Sequence, residues 1–79
     1  MIKCNIEVNE YTTNQYNGEK EFSFSTVQHV LNFPVLPSIG SVLTITNTYD
    51  TQYEILDIEY RANLSSSADV EIYIIVEEV

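Results

Sequence analysis

Few side chains in this sequence have the types and spacing that chemistry requires. The chain holds one cysteine, Cys4, and one histidine, His29, so it can form neither an internal disulfide nor a structural zinc site. Paired carboxylates for hydrolysis, a Ser–His–acid set and phosphate-binding glycine loops all need residues that are missing or poorly spaced. We therefore predict a protein that is not an enzyme, with no catalytic residues, no cofactor and no metal.

Cys4 and His29 come close in a predicted hairpin, where Cys4 faces Leu31 and Ile6 faces His29. On a buried strand face a thiol behaves as a small hydrophobe. A lone histidine among apolar neighbours is more often a packed or edge residue than a ligand or a base. We therefore assign packing roles to both residues.

The remaining chemistry is charge. Twelve acidic and three basic side chains give a net charge of −9, which argues against direct binding of nucleic acid or of anionic membranes. Much of this charge serves solubility, but it also suits a basic protein partner, such as a nucleic-acid-binding protein. Carboxylates two residues apart on one strand face lie about 6.5–7 Å apart, close to the spacing of successive DNA phosphates. Two pairs could mimic nucleic acid in this way: Glu19 with Glu21, and Asp57 with Glu59.

The chain length allows one domain, spanning residues 1–79. A domain of this size buries only about 60% of its unfolded surface, so a partner or self-association would stabilise it. Residues 1–8 alternate apolar and polar side chains, unlike a signal peptide. The apolar run Ile72–Val76 is too short to span a bilayer. Together with a free Cys4, these features predict a cytoplasmic protein.

The elements that position these residues are strands. Alternating apolar residues from Ile2 to Val8 predict a first strand with one buried face. Asn17-Gly18 predicts a two-residue hairpin turn, which sets Tyr11 opposite Phe24 and Val8 opposite Val27. The buried face changes parity around residues 9–10 and 25–26, which indicates a bulge or sharp bend there.

Residues 25–31 permit two interpretations. Ser25 and Gln28 could form a capping box for a short helix. The apolar residues of this region are poor helix formers in sum, which favours a strand; they are Phe22, Phe24, Val27 and Val30.

Two prolines exclude the segment Phe33–Pro37 from the interior of a sheet. We expect it to cross one end of the sheet, with Phe33, Val35 and Leu36 plugging the core, and Gly40 to permit the turn into a strand over Ser41–Asn47. The next strand changes its inward face between Ile55 and Leu56. A mobile loop is predicted over Arg61–Asp69, followed by a terminal strand, Val70–Val76.

These elements predict an all-β protein: a small, five-stranded, mostly antiparallel SH3-like barrel with a long N-terminal hairpin. The stretches LPSIGSVLTI, YEILDIEY and VEIYIIVEE resemble a pattern found in small proteins of bacteriophages and mobile elements. The resemblance covers about residues 33–79. It implies a small binder of host factors, including inhibitors of bacterial immune systems, and it carries no active-site residue across.

The terminal strand provides the candidate interaction site. One of its faces fits the interior, which leaves Tyr73 and Ile75 outside, bordered by Glu71 and Glu77, with Tyr60 beside them. Such a patch is typical of a docking surface. We therefore predict a non-catalytic protein-interaction module, a phage- or mobile-element-encoded binder or inhibitor of a host protein. The alternative is a structural component of a virion or other self-assembling complex, and a homodimer through the terminal strand would also cover this patch.

Overall fold

A computed structural model describes residues 1–62, 64–65 and 69–79. Within those residues the protein is all-β, as predicted, and contains five strands and no helix. The strands are β1 (Ile2–Thr13), β2 (Lys20–Phe33), β3 (Val42–Thr46), β4 (Asp50–Ala62) and β5 (Val70–Glu78). No helix in this part of the chain is long and apolar enough to cross a membrane.

The five strands form one sheet in the order β2-β1-β5-β4-β3. Three of the four pairings are antiparallel, but β1 and β5 run parallel at the centre of the sheet. No Cα of β2 lies within 8 Å of a Cα of β3, so the two outermost strands do not pair. The sheet is therefore open and mixed, and the predicted SH3-like barrel is not confirmed.

The core lies on one face of this sheet, here named the inner face. Its buried residues come from the three central strands, which have neighbours on both sides: Cys4, Ile6 and Val8 on β1, Ile74 and Val76 on β5, and Tyr53 and Ile55 on β4. Burial of Cys4 agrees with the packing role assigned from the sequence. The opposite face of the sheet is named the outer face.

The pairing of β1 with β2 follows the predicted register only near Cys4. Cys4 faces Leu31 and Ile6 faces His29 as predicted, but register shifts follow between Ile6 and Glu7 and between Glu10 and Tyr11. Both shifts insert an extra residue into β2, so Val8 faces Thr26 and Tyr11 faces Phe22. The predictions that pair Val8 with Val27 and Tyr11 with Phe24 are therefore wrong.

The connection between β1 and β2 is longer than the predicted two-residue turn. It comprises residues 14–19 and is closed by the Asn14 amide, which donates to the Glu19 carbonyl at 2.7 Å. Gly18 has a φ of 70°, a conformation that glycine adopts without steric cost. The two bulges shift the ladder so that Thr13 faces Lys20 where this connection begins and ends. Residues 25–31 all lie within β2, so the strand interpretation is confirmed over the helix.

The proline-containing segment crosses to β3 as expected, with one exception. Phe33 and Leu36 pack against the core, whereas Val35 is exposed. Gly40 has a φ of 89°, and its amide donates to the Ile55 carbonyl at 2.7 Å. This bond docks the crossing segment onto β4.

In β4 the predicted change of face is present as a register shift between Ile55 and Asp57, which leaves Leu56 as the extra residue. The prediction that a loop begins at Arg61 is wrong, because Arg61 and Ala62 belong to β4. Residues 63 and 66–68 of that loop lie outside the described residues.

Candidate protein-interaction surface

The outer face carries the residues of β5 that alternate with its buried ones. Because Ile74 and Val76 are fully buried on the inner face, Tyr73, Ile75 and Glu77 lie on the outer face. Tyr73 and Ile75 are half-buried. The terminal strand is apolar on both faces in its middle, as predicted from the sequence.

Neighbouring strands surround these residues with carboxylates. Residues directly opposite in adjacent strands share a face. On β4, Asp57 faces Ile75 and Glu59 faces Tyr73, while on β1 Glu7 faces Ile75. We use the name outer acidic face for the carboxylates that border Tyr73 and Ile75: Glu7, Glu54, Asp57, Glu59, Glu71 and Glu77.

Arg61 bridges two acids of the outer acidic face. Its Nη2 donates to Glu7 Oε2 at 2.8 Å and to Glu59 Oε2 at 2.6 Å. Hydrogen bonds to Glu7 and then to Glu59 raise the pKa of the guanidinium above its usual value, so Arg61 stays charged at any pH at which the protein folds. The positive charge of Arg61 is therefore shared between Glu7 and Glu59.

Arg61 also covers the aromatic residue of the patch. Its guanidinium carbon lies 3.9 Å from the centroid of the Tyr73 ring, a cation–π distance. The Tyr73 hydroxyl donates to Glu71 at 3.1 Å, and this bond is the main reason that the pKa of Tyr73 is raised. Tyr73 is therefore held in one orientation on the outer face.

Two acids of this face oppose each other directly. Glu54 on β4 is the cross-strand partner of Glu77 on β5, and like charges in that relation repel. Within the described residues neither carboxylate takes part in an ion pair. Interaction with Glu77 is the largest cause of the raised pKa of the Tyr11 hydroxyl. Lys20 lies at the same end, with its Nζ 5.0 Å from the centroid of the Tyr11 ring, and forms no ion pair with either acid within the described residues.

The structure distributes the residues predicted from the sequence over more than one surface. Tyr73, Ile75, Glu71 and Glu77 lie together on the outer face. Tyr60 faces Ile72, and Ile72 belongs to the inner face, so Tyr60 does not join them.

The two predicted mimic pairs also lie apart. Asp57 and Glu59 both point outward, although Glu59 is bound by Arg61 and Asp57 Oδ1 accepts the Ile58 amide at 2.8 Å. Glu19 and Glu21 lie at the β1–β2 turn, where Glu21 accepts a bond from Asn14 at 2.8 Å.

Sequence reasoning missed Glu7, Glu54 and Arg61 as members of this surface. Glu7 alternates with buried residues of β1, which places it outward, but only the β1–β5 register brings it beside Ile75. Arg61 was assigned to a loop. Its spacing of two residues from Glu59 was the available signal, because that spacing puts both side chains on one face of a strand.

The inner face offers little covalent chemistry. Cys4 is fully buried, and burial raises the pKa of its thiol, so the thiol is the dominant form at neutral pH. No group of His, Cys, Asp and Glu side chains suited to a metal ion occurs within the described residues.

The inner face does form a cleft of about 350 Å³ at the open side of the sheet. The cleft is lined by residues of β2, β3 and β4 and of the turn between β3 and β4: His29, Ile45, Asn47, Thr48, Tyr49, Thr51 and Tyr53. The sheet thus curls far enough for side chains of its two outermost strands to border one cavity.

Comparison with known proteins found no protein family, no curated protein and no solved structure that matches this chain.

Proposed function

We propose that this protein is a non-catalytic interaction module that binds a basic protein partner on its outer acidic face. The observation that carries the proposal is the pair Glu54 and Glu77, which face each other across β4 and β5 and form no ion pair within the described residues. A folded chain that keeps two opposed carboxylates loses some stability. A partner that supplies Lys or Arg at this position would remove the repulsion on binding.

The half-buried Tyr73 and Ile75 give this face an apolar centre within its acidic border. Charge around such a centre directs the encounter and selects the partner, while the apolar contact supplies affinity. Asp57 and Glu59 are exposed on the same face of β4 with the two-residue spacing proposed for a mimic of the nucleic-acid backbone, and of the two only Asp57 is not paired with Arg61. These features suit a basic protein that itself binds nucleic acid.

The sequence resemblance to small proteins of bacteriophages and mobile elements supports a more specific version. In that version the protein is an inhibitor made in the host cytoplasm that occupies the nucleic-acid-binding surface of a host protein.

The test compares two double variants of equal charge. Glu54→Gln with Glu77→Gln alters the outer acidic face, and Glu19→Gln with Glu21→Gln alters the β1–β2 turn. Each is immobilised beside the unaltered protein and exposed to a lysate of the cell that makes it. We expect the unaltered protein and the turn variant to retain a basic protein that about 0.5 M NaCl releases, and the outer-face variant to retain about tenfold less.

Equal losses in the two variants would show that only net charge matters and would contradict the assigned surface. Retention of an acidic or neutral protein that salt does not release would contradict the proposed kind of partner.

One observation favours the alternative function, a structural component of a self-assembling complex. Edge strand β2 carries no acidic or lysine side chain from Phe22 to Phe33, and four of its apolar residues are exposed: Phe22, Phe24, Val27 and Val30. An uncharged apolar edge is prone to pair with other strands. Association through this edge would persist at high salt, whereas binding through the outer acidic face would not.

A further inference from the structure

The connection between β1 and β2 carries a sequence motif that the outer acidic face does not use, Asn17-Gly18. We propose that Asn17 is a site of spontaneous deamidation, and that the hydrogen bond from the Gly18 amide to the Asn14 carbonyl limits its rate in the folded protein. The reaction consumes water and needs no enzyme or cofactor. It takes place away from the outer acidic face and does not depend on the function proposed there.

Deamidation of an asparagine begins at the backbone nitrogen of the next residue. That nitrogen loses its proton to a base in the solvent and attacks the side-chain carbonyl carbon. A five-membered imide forms, and the side-chain nitrogen takes up a proton and leaves as ammonia. Water then opens the imide at one of its two carbonyls, which yields aspartate or isoaspartate. The net change replaces an amide nitrogen by a water oxygen, so no oxidant or reductant takes part.

Asn17 is the asparagine of this chain best suited to the reaction. It alone precedes a glycine in the sequence, and glycine has no side chain to hinder the approach of its own nitrogen. Asn17 and Gly18 are both exposed. Among the described residues beyond its chain neighbours, none comes within 4 Å of the position that a Cβ on Gly18 would occupy. Water and base therefore reach both reacting groups.

The side chain of Asn17 is already held toward the backbone that follows it. Its Oδ1 accepts a hydrogen bond from the Glu19 amide at 2.9 Å, which keeps the side-chain carbonyl turned toward the later residues, where the Gly18 nitrogen lies. A backbone N–H donor on this oxygen also stabilises the negative charge that develops there when the carbon is attacked. The turn therefore favours attack at the Asn17 carbonyl carbon.

The attacking nitrogen, in contrast, is held back. The Gly18 amide donates to the Asn14 carbonyl at 2.8 Å, and a hydrogen-bonded amide must open before a base in the solvent removes its proton. The Asn14 side chain fixes this arrangement, because its Oδ1 accepts the Tyr16 amide at 2.8 Å and its Nδ2 donates to Glu21 at 2.8 Å. Opening of the turn, and not access of water, should therefore limit the reaction.

The test incubates the unaltered protein in neutral buffer at physiological temperature and follows each asparagine by peptide mapping and mass spectrometry. We expect aspartate and isoaspartate to accumulate at Asn17 before any other asparagine reacts. Unfolding the chain in urea should speed the reaction at Asn17 about tenfold, because the Gly18 amide is then free. Since each product adds one negative charge, anion-exchange chromatography should separate the altered protein from the rest.

Two variants identify the limiting hydrogen bond. Asn14→Ala removes both side-chain bonds that hold the turn, so the folded variant should react at Asn17 several times faster than the unaltered protein. Asn32→Ala, which changes an exposed asparagine of β2, should leave the rate unchanged. In urea all three proteins should react at the same rate, because the turn is absent there.

The proposal is overturned if another asparagine reacts first in the folded protein, or if urea leaves the rate at Asn17 unchanged. Equal rates for Asn14→Ala and Asn32→Ala in the folded state would also overturn it. A faster reaction of Asn14→Ala that persists in urea would show that the substitution acts through the chemistry of the chain and not through the turn, and would overturn the assigned role of the Gly18 hydrogen bond.

Discussion

At the scale of single residues, Arg61 organises the outer acidic face. It contacts Glu7 on β1 and Glu59 on β4 and lies over Tyr73 on β5, so one side chain links the three central strands. The Glu7 side chain is only 15% exposed, which makes its charge more dependent on a partner than that of a freely solvated acid. Arg61 therefore contributes more to stability than a typical surface cation.

We predict that Arg61→Gln lowers the free energy of unfolding by about 1–2 kcal/mol. The loss combines exposed ion pairs, worth about 0–1 kcal/mol, with a cation–π contact worth about 0.5–1 kcal/mol. Urea unfolding followed by circular dichroism measures it. Lys3→Gln is the matched control, since it removes the same charge from a residue that forms no ion pair in the described part of the chain, and should cost less than about 0.5 kcal/mol. Equal costs would show that Arg61 acts only through net charge.

Alkaline pH should destabilise the fold through its buried weak acids. Burial, then the charges of Glu78 and Glu10, raise the pKa of Tyr53 above 10, and burial raises the pKa of Cys4 above 9. The unfolded chain then releases these protons at a lower pH than the folded one. The stabilisation that comes from keeping Cys4 and Tyr53 protonated is fully present below pH 9. It is lost as the pH rises through the pKa values of these two groups in the folded protein.

Urea unfolding between pH 8 and 11 should therefore show a falling free energy, with Tyr53→Phe showing a shallower decline. The control is Tyr16→Phe, because Tyr16 is 99% exposed, and its decline should match that of the unaltered protein. A decline that Tyr53→Phe leaves unchanged would assign the effect to other groups.

At the scale of elements, period-2 patterning was sufficient to predict the five strands and the absence of helix among the described residues. The alternation in β1 and β5 predicted their buried faces, and the slip between Ile55 and Leu56 predicted the bulge in β4. Those signals are local, because burial of one face acts on each strand separately.

What the sequence could not supply was pairing between distant elements. The parallel contact of β1 with β5 joins the two ends of the chain, and no local pattern encodes it. The outer acidic face depends on that contact, since it brings Glu7 beside Ile75. The β1–β2 register failed for a related reason: two bulges lengthen β2, and a bulge residue has no strong sequence signature.

At the scale of the whole molecule, the packing of one open sheet must offset the repulsion among many negative side chains. The radius of gyration is 14.4 Å, compared with about 11.6 Å for a compact domain of this length. Among the described residues, the fully or nearly fully buried apolar side chains all come from the three central strands. With a net charge of −9, self-repulsion forms a large part of the energy balance of such a thin core.

We therefore predict that NaCl stabilises this protein. Raising the salt from about 0.02 to about 0.5 M shortens the screening length from roughly 20 Å to roughly 4 Å, which weakens repulsion across the outer acidic face more than it weakens the short Arg61 contacts. The free energy of unfolding in urea should rise with salt.

The variant with Glu54→Gln and Glu77→Gln should begin more stable in low salt and gain less from NaCl, because its opposed carboxylates are gone. The variant with Glu19→Gln and Glu21→Gln has the same net charge and should keep most of the gain. A fall in stability with salt would show that Arg61 and its two acids outweigh the repulsion, and equal gains in the two variants would show that the opposed pair carries no special strain.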